Sequence, residues 1–477
     1  MRWIVRLLLA LAALLLSAFA WLGIPATAAG LAAKNVCSGV FVGGRPSAEV
    51  LASDVLPASP LLRLVHVSVD ETRQLVRGRM LWSAERTAML LPRLGCVLDP
   101  RPELVASAGV AVAAAVDKTV RATAAAASLP GTDWRGIDRP AIGAAVDEAF
   151  RDRDDASDRN TRAVVILHRG RLVAERYGVG FDSATPQLGW SMSKTVLGLL
   201  LYMKLQEQKR DASVRAIDWV MPQRRPDWLR EWGRDVRASI RVADLLFMRD
   251  GLDHREGYEP WSAVPRMLWG VADVPAYAGS AAAEAPAGQR FRYLSATTNI
   301  LSRLLRAQFD TDHAYWNYPS QALFKPIGAT SAVLEADASG TFIASSYLWA
   351  TPRDWARIGQ VLLEDGLADG RRIFAQGWQR FAGTPPPSDD PAAMGYGAHV
   401  WLPGAADGSS CGPQHGLPAD TFLLTGHWGQ LAAVIPSREA VIVRLGMTLE
   451  RNAFDRCAFL RSVVRALPAV GTAVSAN

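Results

Sequence analysis

Ser191-Met192-Ser193-Lys194 sets a hydroxyl and an amine three residues apart. Serine is a poor nucleophile until a neighbouring base takes its proton. On a helix, residues i and i+3 lie on one face a turn apart, so the Lys194 amine is within reach of the Ser191 hydroxyl. The free N–H groups at a helix start also suit a developing anion. The pattern is short: 30 serines and six lysines give about 0.4 chance matches in a chain of this length. Lysine is the informative half. Only six of the 52 basic residues are lysine. Arginine does not release its proton in a protein, so a base at that position must be lysine.

Two further spots hold polar groups beside apolar ones. Tyr293-Leu294-Ser295 follows Gly288 and Phe291. A phenol near Lys194 could carry a proton, although tyrosine and lysine both have ordinary pKa values near 10 and need a shift to act at neutral pH. Taken alone, Tyr293 reads as a core tyrosine. Gly426-His427-Trp428-Gly429-Gln430 lies between two strand-like runs. Glycine there permits close approach of a substrate to the strand edge. The backbone N–H of Gln430 could pair with that of Ser191 as an oxyanion hole. Taken alone, His427 reads as an ordinary half-buried histidine.

The elements that must hold these groups follow from periodicity. Val196, Leu197, Leu200, Leu201 and Met203 repeat at helical spacing after Ser191 and predict a buried helix. Pro140 to Phe150 predicts another, and Thr351-Pro352-Arg353-Asp354 an N-cap and helix start running through Leu363. Ala163 to Leu167 reads as a strand that turns at His168-Arg169-Gly170 and returns. Strands are expected at Gly397–Leu402, Thr421–Leu424, Leu431–Ile435 and Ala440–Leu445, with a last helix over about Arg451–Arg465. Strands at both ends and helices between imply an α/β (α+β) domain over 139–477, whose antiparallel sheet is built from both ends. Ahead of it, Leu62–Val69 and Leu75–Leu81 suggest a small β-rich module over 29–104, followed by an Ala-rich helical linker over 105–138.

Residues 1–28 read as a targeting leader. Arg2 and Arg6 precede an apolar run from Leu7 to Ile24, and Ala26-Thr27-Ala28 reads as a small-x-small cleavage site. The rival reading is an inner-membrane anchor through residues 7–24. Export, to the periplasm or beyond, makes disulfides the natural state of the four cysteines. The local pairing Cys37–Cys96 and Cys411–Cys457 is expected, each bridge stapling one module. Neither cysteines nor histidines have ligand spacing, so no metal is expected, and no motif calls for a cofactor. The net charge of +6 comes from scattered arginines without a basic run, which argues against nucleic acid as a partner. Tyr258, Trp261 and Trp269 follow Leu252 and read equally as an apolar lid or as core aromatics.

In combination the three spots resemble the serine β-lactamases and penicillin-binding proteins, which carry S-x-x-K, then S-D-N or Y-x-N, then K-T-G. Ser191-Met192-Ser193-Lys194, Tyr293-Leu294-Ser295 and His427-Trp428-Gly429 match in order. The tyrosine-based middle motif is similar to the class C branch, with its esterases and 6-aminohexanoate-dimer hydrolases. Gly189-Trp190 and Asp244-Leu245-Leu246-Phe247-Met248-Arg249-Asp250-Gly251-Leu252 look like stretches of the hydrolase subgroup. The resemblance covers about Ala163 to the C-terminus. It implies that family's α/β fold with a helical subdomain inserted between the halves of the sheet. It implies Ser191 as the acylated nucleophile, with Lys194 and Tyr293 sharing acid–base work. Ser295 stands where asparagine would contact a substrate amide, and His427 where lysine would hold a carboxylate. Both departures favour a small ester or amide substrate over β-lactamase or DD-peptidase activity. A non-catalytic penicillin-binding-like envelope protein is the remaining alternative.

Overall fold

Strands joined by very short connections must run antiparallel, because a parallel return needs a crossover of a dozen residues or more. The front of the chain follows this rule. Val65–Asp70 (β1), Leu75–Met80 (β2), Arg86–Leu91 (β3) and Gly95–Leu98 (β4) form a meander in the order β1-β2-β3-β4. The computed structural model describes residues 3–4, 6–7, 22–81, 85–109, 129–131, 134–152, 159–207, 227–404, 410–450 and 452–468. The chain divides into two units, and the first gathers residues 1–115, 254–278 and 336–341. Its helix Ile24–Cys37 (α1) lies against the meander so closely that a Cβ on Gly78 would sit 2.5 Å from the Ala29 carbonyl oxygen. The Cys37–Cys96 disulfide ties α1 to β4. Lys34 is fully buried and donates to the Cys96 carbonyl.

The second unit holds residues 116–253, 279–335 and 342–477. Its main elements are Arg139–Phe150 (α2), Thr161–His168 (β5), Arg171–Tyr177 (β6), Gln187–Leu188 (β7), Met192–Glu207 (α3), Ser295–Arg306 (α4), Val333–Leu334 (β8), Leu348–Ala350 (β9) and Pro352–Leu363 (α5). Phe422–Gly426 (β10), Gln430–Ile435 (β11), Ala440–Gly446 (β12) and Arg456–Ala466 (α6) close it. The large sheet runs β10-β11-β12-β5-β6, all antiparallel, so the two ends of the domain meet where Val165 pairs with Val443. Every residue of β5 is buried, which is why its middle, Ala163–Leu167, is continuously apolar rather than alternating. Side chains alternate by face along a strand. Val164, Ile166, Leu431, Ala433 and Ile442 pack with Ile142 and Val146 of α2 and Leu460, Val463 and Val464 of α6. Each of these valine, leucine and isoleucine side chains contributes about 1.5–3 kcal/mol on burial. Val441 faces the other way, onto α5, where a Cβ on Gly359 would lie 2.5 Å from its Cγ1. Most of the described helices lie between β6 and β10, and the fold is the expected α/β one.

Several expected elements shift for local reasons. The strand expected from Leu62 begins at Val65, because Pro60–Leu64 closes a 3₁₀ turn whose cap, Ser59 Oγ, accepts from the Leu61 N–H. The strand expected at Gly397–Leu402 is a bend: only Trp401 bridges, to Leu423 and Tyr396, and His399 takes φ +60°. Gly397 is wedged there, since a Cβ would fall 1.7 Å from the Ala382 carbonyl oxygen. The last helix starts at Arg456, capped by Asp455. Most of the leader and the Ala-rich stretch over 110–128 lie outside the described residues. No helix among the described residues is long and apolar enough to cross a membrane. Both disulfides form in the local pairing, Cys411–Cys457 with Cα atoms 5.5 Å apart.

Candidate active site

Ser191 stands on a tight turn immediately before α3. The turn is held open by two unusual residues. A Cβ on Gly189 would lie 2.1 Å from the buried Trp355 indole, so only glycine fits. Trp190 then takes φ +49°, a conformation bulky residues avoid. Such strain costs on the order of 1–3 kcal/mol and persists only where packing overdetermines it. Trp190 is 3% exposed and is gripped edge-on by His427 and Trp428, with ring centroids 5.3 and 5.1 Å away. Ser193 Oγ donates to the Trp190 carbonyl at 2.6 Å and accepts from the Leu348 N–H at 3.1 Å, tying the turn to β9. The result is a serine hydroxyl at the head of a buried helix.

Lys194 is 1% exposed and sits one turn in. Its Nζ lies 2.9 Å from Ser191 Oγ, 3.0 Å from Ser295 Oγ and 2.9 Å from the Ser345 carbonyl oxygen. As an ammonium it donates to all three. As a neutral amine it keeps two N–H donors for Ser295 and Ser345 and turns its lone pair to the Ser191 hydroxyl. The geometry therefore suits both protonation states. Tyr293 completes the cluster, its ring centroid 4.9 Å from Lys194 Nζ. The Tyr293 ring stacks on Trp401 at 5.1 Å and meets Tyr396 edge-on at 5.7 Å. Ser295, first residue of α4, is fully buried.

The third spot comes to Ser191 through glycine. A Cβ on Gly426 would lie 2.2 Å from the Gly189 carbonyl oxygen, so the end of β10 reaches the serine turn only because residue 426 lacks one. His427, Trp428 and Gly429 form the bend into β11, with φ +60° at Trp428 and +81° at Gly429. The side chain of Gln430 is occupied in fixing that bend. Its amide donates to the His427 carbonyl at 3.1 Å and accepts from the Gly446 N–H at 3.0 Å. Arg444, fully buried, donates to the Gly429 carbonyl at 2.9 Å from the other side. Replacing Gly426 by alanine is expected to push backbone against backbone and to cost about 1–3 kcal/mol, with loss of turnover. Thermal unfolding and kcat measured together check this, and an unchanged variant would show the contact to be loose.

Desolvation holds the His427 imidazole down to about 4, so it is neutral at pH 7 and gives the site no cation. His399 is buried, donates from Nδ1 to the Leu246 carbonyl (2.8 Å), meets Thr298 Oγ1 through Nε2 (3.0 Å), and is likewise pushed down to about 3 by burial. Both stay neutral in the folded protein at pH values where the unfolded chain, with an ordinary histidine pKa near 6.5, takes up protons. Their contribution to stability is full above about pH 6.5 and falls as pH drops toward 4. His427→Gln is expected to flatten part of that fall, leaving the His399 share. Melting temperatures from pH 7 to 4 test this, and an unchanged slope assigns the effect elsewhere.

The residues singled out in sequence converge, with Ser191, Lys194, Tyr293 and Ser295 in one cluster and His427 and Trp428 against Trp190. Sequence reading missed Ser345, whose carbonyl receives Lys194, and Asn299, which holds Ser345 by two hydrogen bonds of 3.0 and 3.3 Å. It also missed His399 and Arg444. None lies in a motif, and only the repeat of Asn299 after Ser295 on one helix face pointed inward. Of the aromatics after Leu252, Trp269 is a core residue of the first unit at 3% exposure, whereas Trp261 is 65% exposed.

Comparisons to known proteins bear on the family and the fold. The profile of the Beta-lactamase family matches residues 146–460, and the chain belongs to that family. A 6-aminohexanoate-dimer hydrolase of Paenarthrobacter ureafaciens is 26% identical over 230 residues, 46% of this chain and 56% of that protein. The chain thus matches only a little over half the length of that curated relative. Among solved structures, a Bacillus anthracis protein provisionally assigned as a 6-aminohexanoate-dimer hydrolase superposes with a TM-score of 0.54 at 20% identity, covering 71% of this chain and 87% of its own. A penicillin-binding protein homologue from Caulobacter crescentus gives 0.52 at 15% identity, covering 72% and 100%. These superpositions speak to the fold.

Proposed function

We propose that the protein is an exported serine hydrolase that cleaves a small ester or amide through an acyl-enzyme on Ser191. The observation that carries this is the 2.9 Å contact between Lys194 Nζ and Ser191 Oγ at the head of a buried helix. Ser191 Oγ attacks the substrate carbonyl and its proton passes to the Lys194–Tyr293 pair. That pair returns the proton to the departing alcohol or amine. Water then attacks the acyl-enzyme, with the same pair taking its proton and restoring the Ser191 hydroxyl. The first backbone N–H groups of α3, with that of Gln430, would face the oxyanion.

The substrate is a neutral one. With His427 uncharged, the third motif supplies no cation for a carboxylate. The rings of Trp190, His427 and Trp428 instead offer an apolar wall. Two disulfides support export, since such bridges persist in oxidising compartments. A fluorophosphonate probe should label the folded protein, and peptide mapping should place the adduct on Ser191. Absence of labelling, or equal labelling of Ser191→Ala, would sink the reading. A panel of acyl esters and short amides, with a chromogenic cephalosporin alongside, then fixes the substrate class. Rapid cephalosporin turnover would overturn the neutral-substrate assignment.

A further inference from the structure

Helix α1 begins inside the apolar leader and contains Ala26-Thr27-Ala28, the triplet that reads as a cleavage site. In the folded unit that triplet is wall, not linker. Thr27 and Ala28 are 6% and 9% exposed, and the next residue, Ala29, is fully buried. The Ala26 carbonyl accepts from Arg86 at 3.2 Å, and the same guanidinium nitrogen donates to the Trp269 carbonyl at 2.9 Å. A Cβ on Gly30 would fall 2.4 Å from that Trp269 carbonyl oxygen, so the helix is seated without slack. A cut after Ala28 would remove the first turn of α1 and an acceptor of Arg86. It would also place a new α-ammonium, charged at neutral pH, on a residue without water access, which is strongly unfavourable.

Helix α1 is entered through Gly23. That residue takes φ +69°, and its carbonyl accepts from the Thr27 N–H at 3.0 Å. Just ahead, Leu22 is 40% exposed. The sequence carries a second small-x-small triplet there, Ala18-Phe19-Ala20. It leaves the ten residues Leu7–Leu16 as the apolar segment, within the roughly 7–15 residues such a segment has in a cleaved leader.

We infer that the leader is removed after Ala20, by a membrane peptidase that reads small residues one and three places before the cut. Water hydrolyses the Ala20–Trp21 bond, leaving the carboxylate on the leader and the amine on Trp21. The mature chain begins at Trp21, keeps α1 whole and carries its new charge next to an exposed residue. Arg2 and Arg6 leave with the leader.

The inference rests on the export reading, not on the catalytic one. The full chain, produced in an exporting bacterial host, is read by intact mass and N-terminal sequencing. A start at Trp21 is expected. A start at Ala29 with both disulfides formed overturns the inference and leaves export standing. Protein retaining Met1 and extracted only with detergent overturns it in favour of an anchor. A cytoplasmic protein with reduced cysteines overturns export and the inference together. In pulse labelling, Ala20→Tyr should accumulate precursor at least tenfold over wild type, whereas Ala26→Leu should be processed normally, and the reverse pattern overturns the assignment.

Discussion

Ser191→Ala is expected to lower turnover of an activated ester by about 10⁴- to 10⁶-fold, the scale seen when a serine nucleophile is removed. The fold should survive. Ser191 is only partly buried. The variant loses the hydroxyl that Lys194 Nζ faces at 2.9 Å, while Ser295 and the Ser345 carbonyl remain as partners of the amine. Folding stability should therefore stay within about 1 kcal/mol of wild type. Residual activity should not respond to the fluorophosphonate probe. Substantial turnover in this variant would mean that the acylated group lies elsewhere.

Lys194→Arg is expected to cost about 10²- to 10⁴-fold, the range for losing a positioned acid–base group. The charge is conserved, so a purely electrostatic role would be spared. What arginine cannot do is lend a lone pair to the serine hydroxyl, because it stays protonated in a protein. Lys194→Met provides the complementary test. It removes the donor to the Ser345 carbonyl and leaves a buried acceptor unpaired, at a cost of about 1–3 kcal/mol. Both variants should lose rate together with whatever pH dependence Lys194 supplies, and only the methionine variant should also lose the charge. An active Lys194→Arg enzyme would remove lysine from proton transfer and leave Tyr293 as the base.

The site is framed by residues that no motif announces. Ser345 is offered by the stretch just before β9 and Asn299 by α4, and both act on Lys194 through hydrogen bonds closed only after long-range folding. Arg444 and Gln430 fix the His427–Gly429 bend in the same way. These contacts join residues up to 151 positions apart, so periodicity, which reports neighbours along a helix or strand, cannot reveal them. The misread segment at Gly397–Leu402 has the same origin. Its residues favour a strand locally, but the Ala382 carbonyl pressing on Gly397 bends it.

The sequence by itself determined the local geometry of the chemistry. Ser191 and Lys194 meet because residues three apart share a helix face, and lysine, unlike arginine, is able to give up its proton there. It also determined the two-ended sheet, through its apolar runs, and the disulfide partners, through their bracketing of each module. Tertiary structure alone decided what surrounds that pair. Close approach at Gly189 and Gly426 brings three distant segments to one point, and desolvation at that point makes His427 neutral. Burial likewise turned a stretch that reads as a leader's cut site into the wall of a folded unit. Approach distance and water exclusion are properties of the packed chain, and a residue's type and spacing do not carry them.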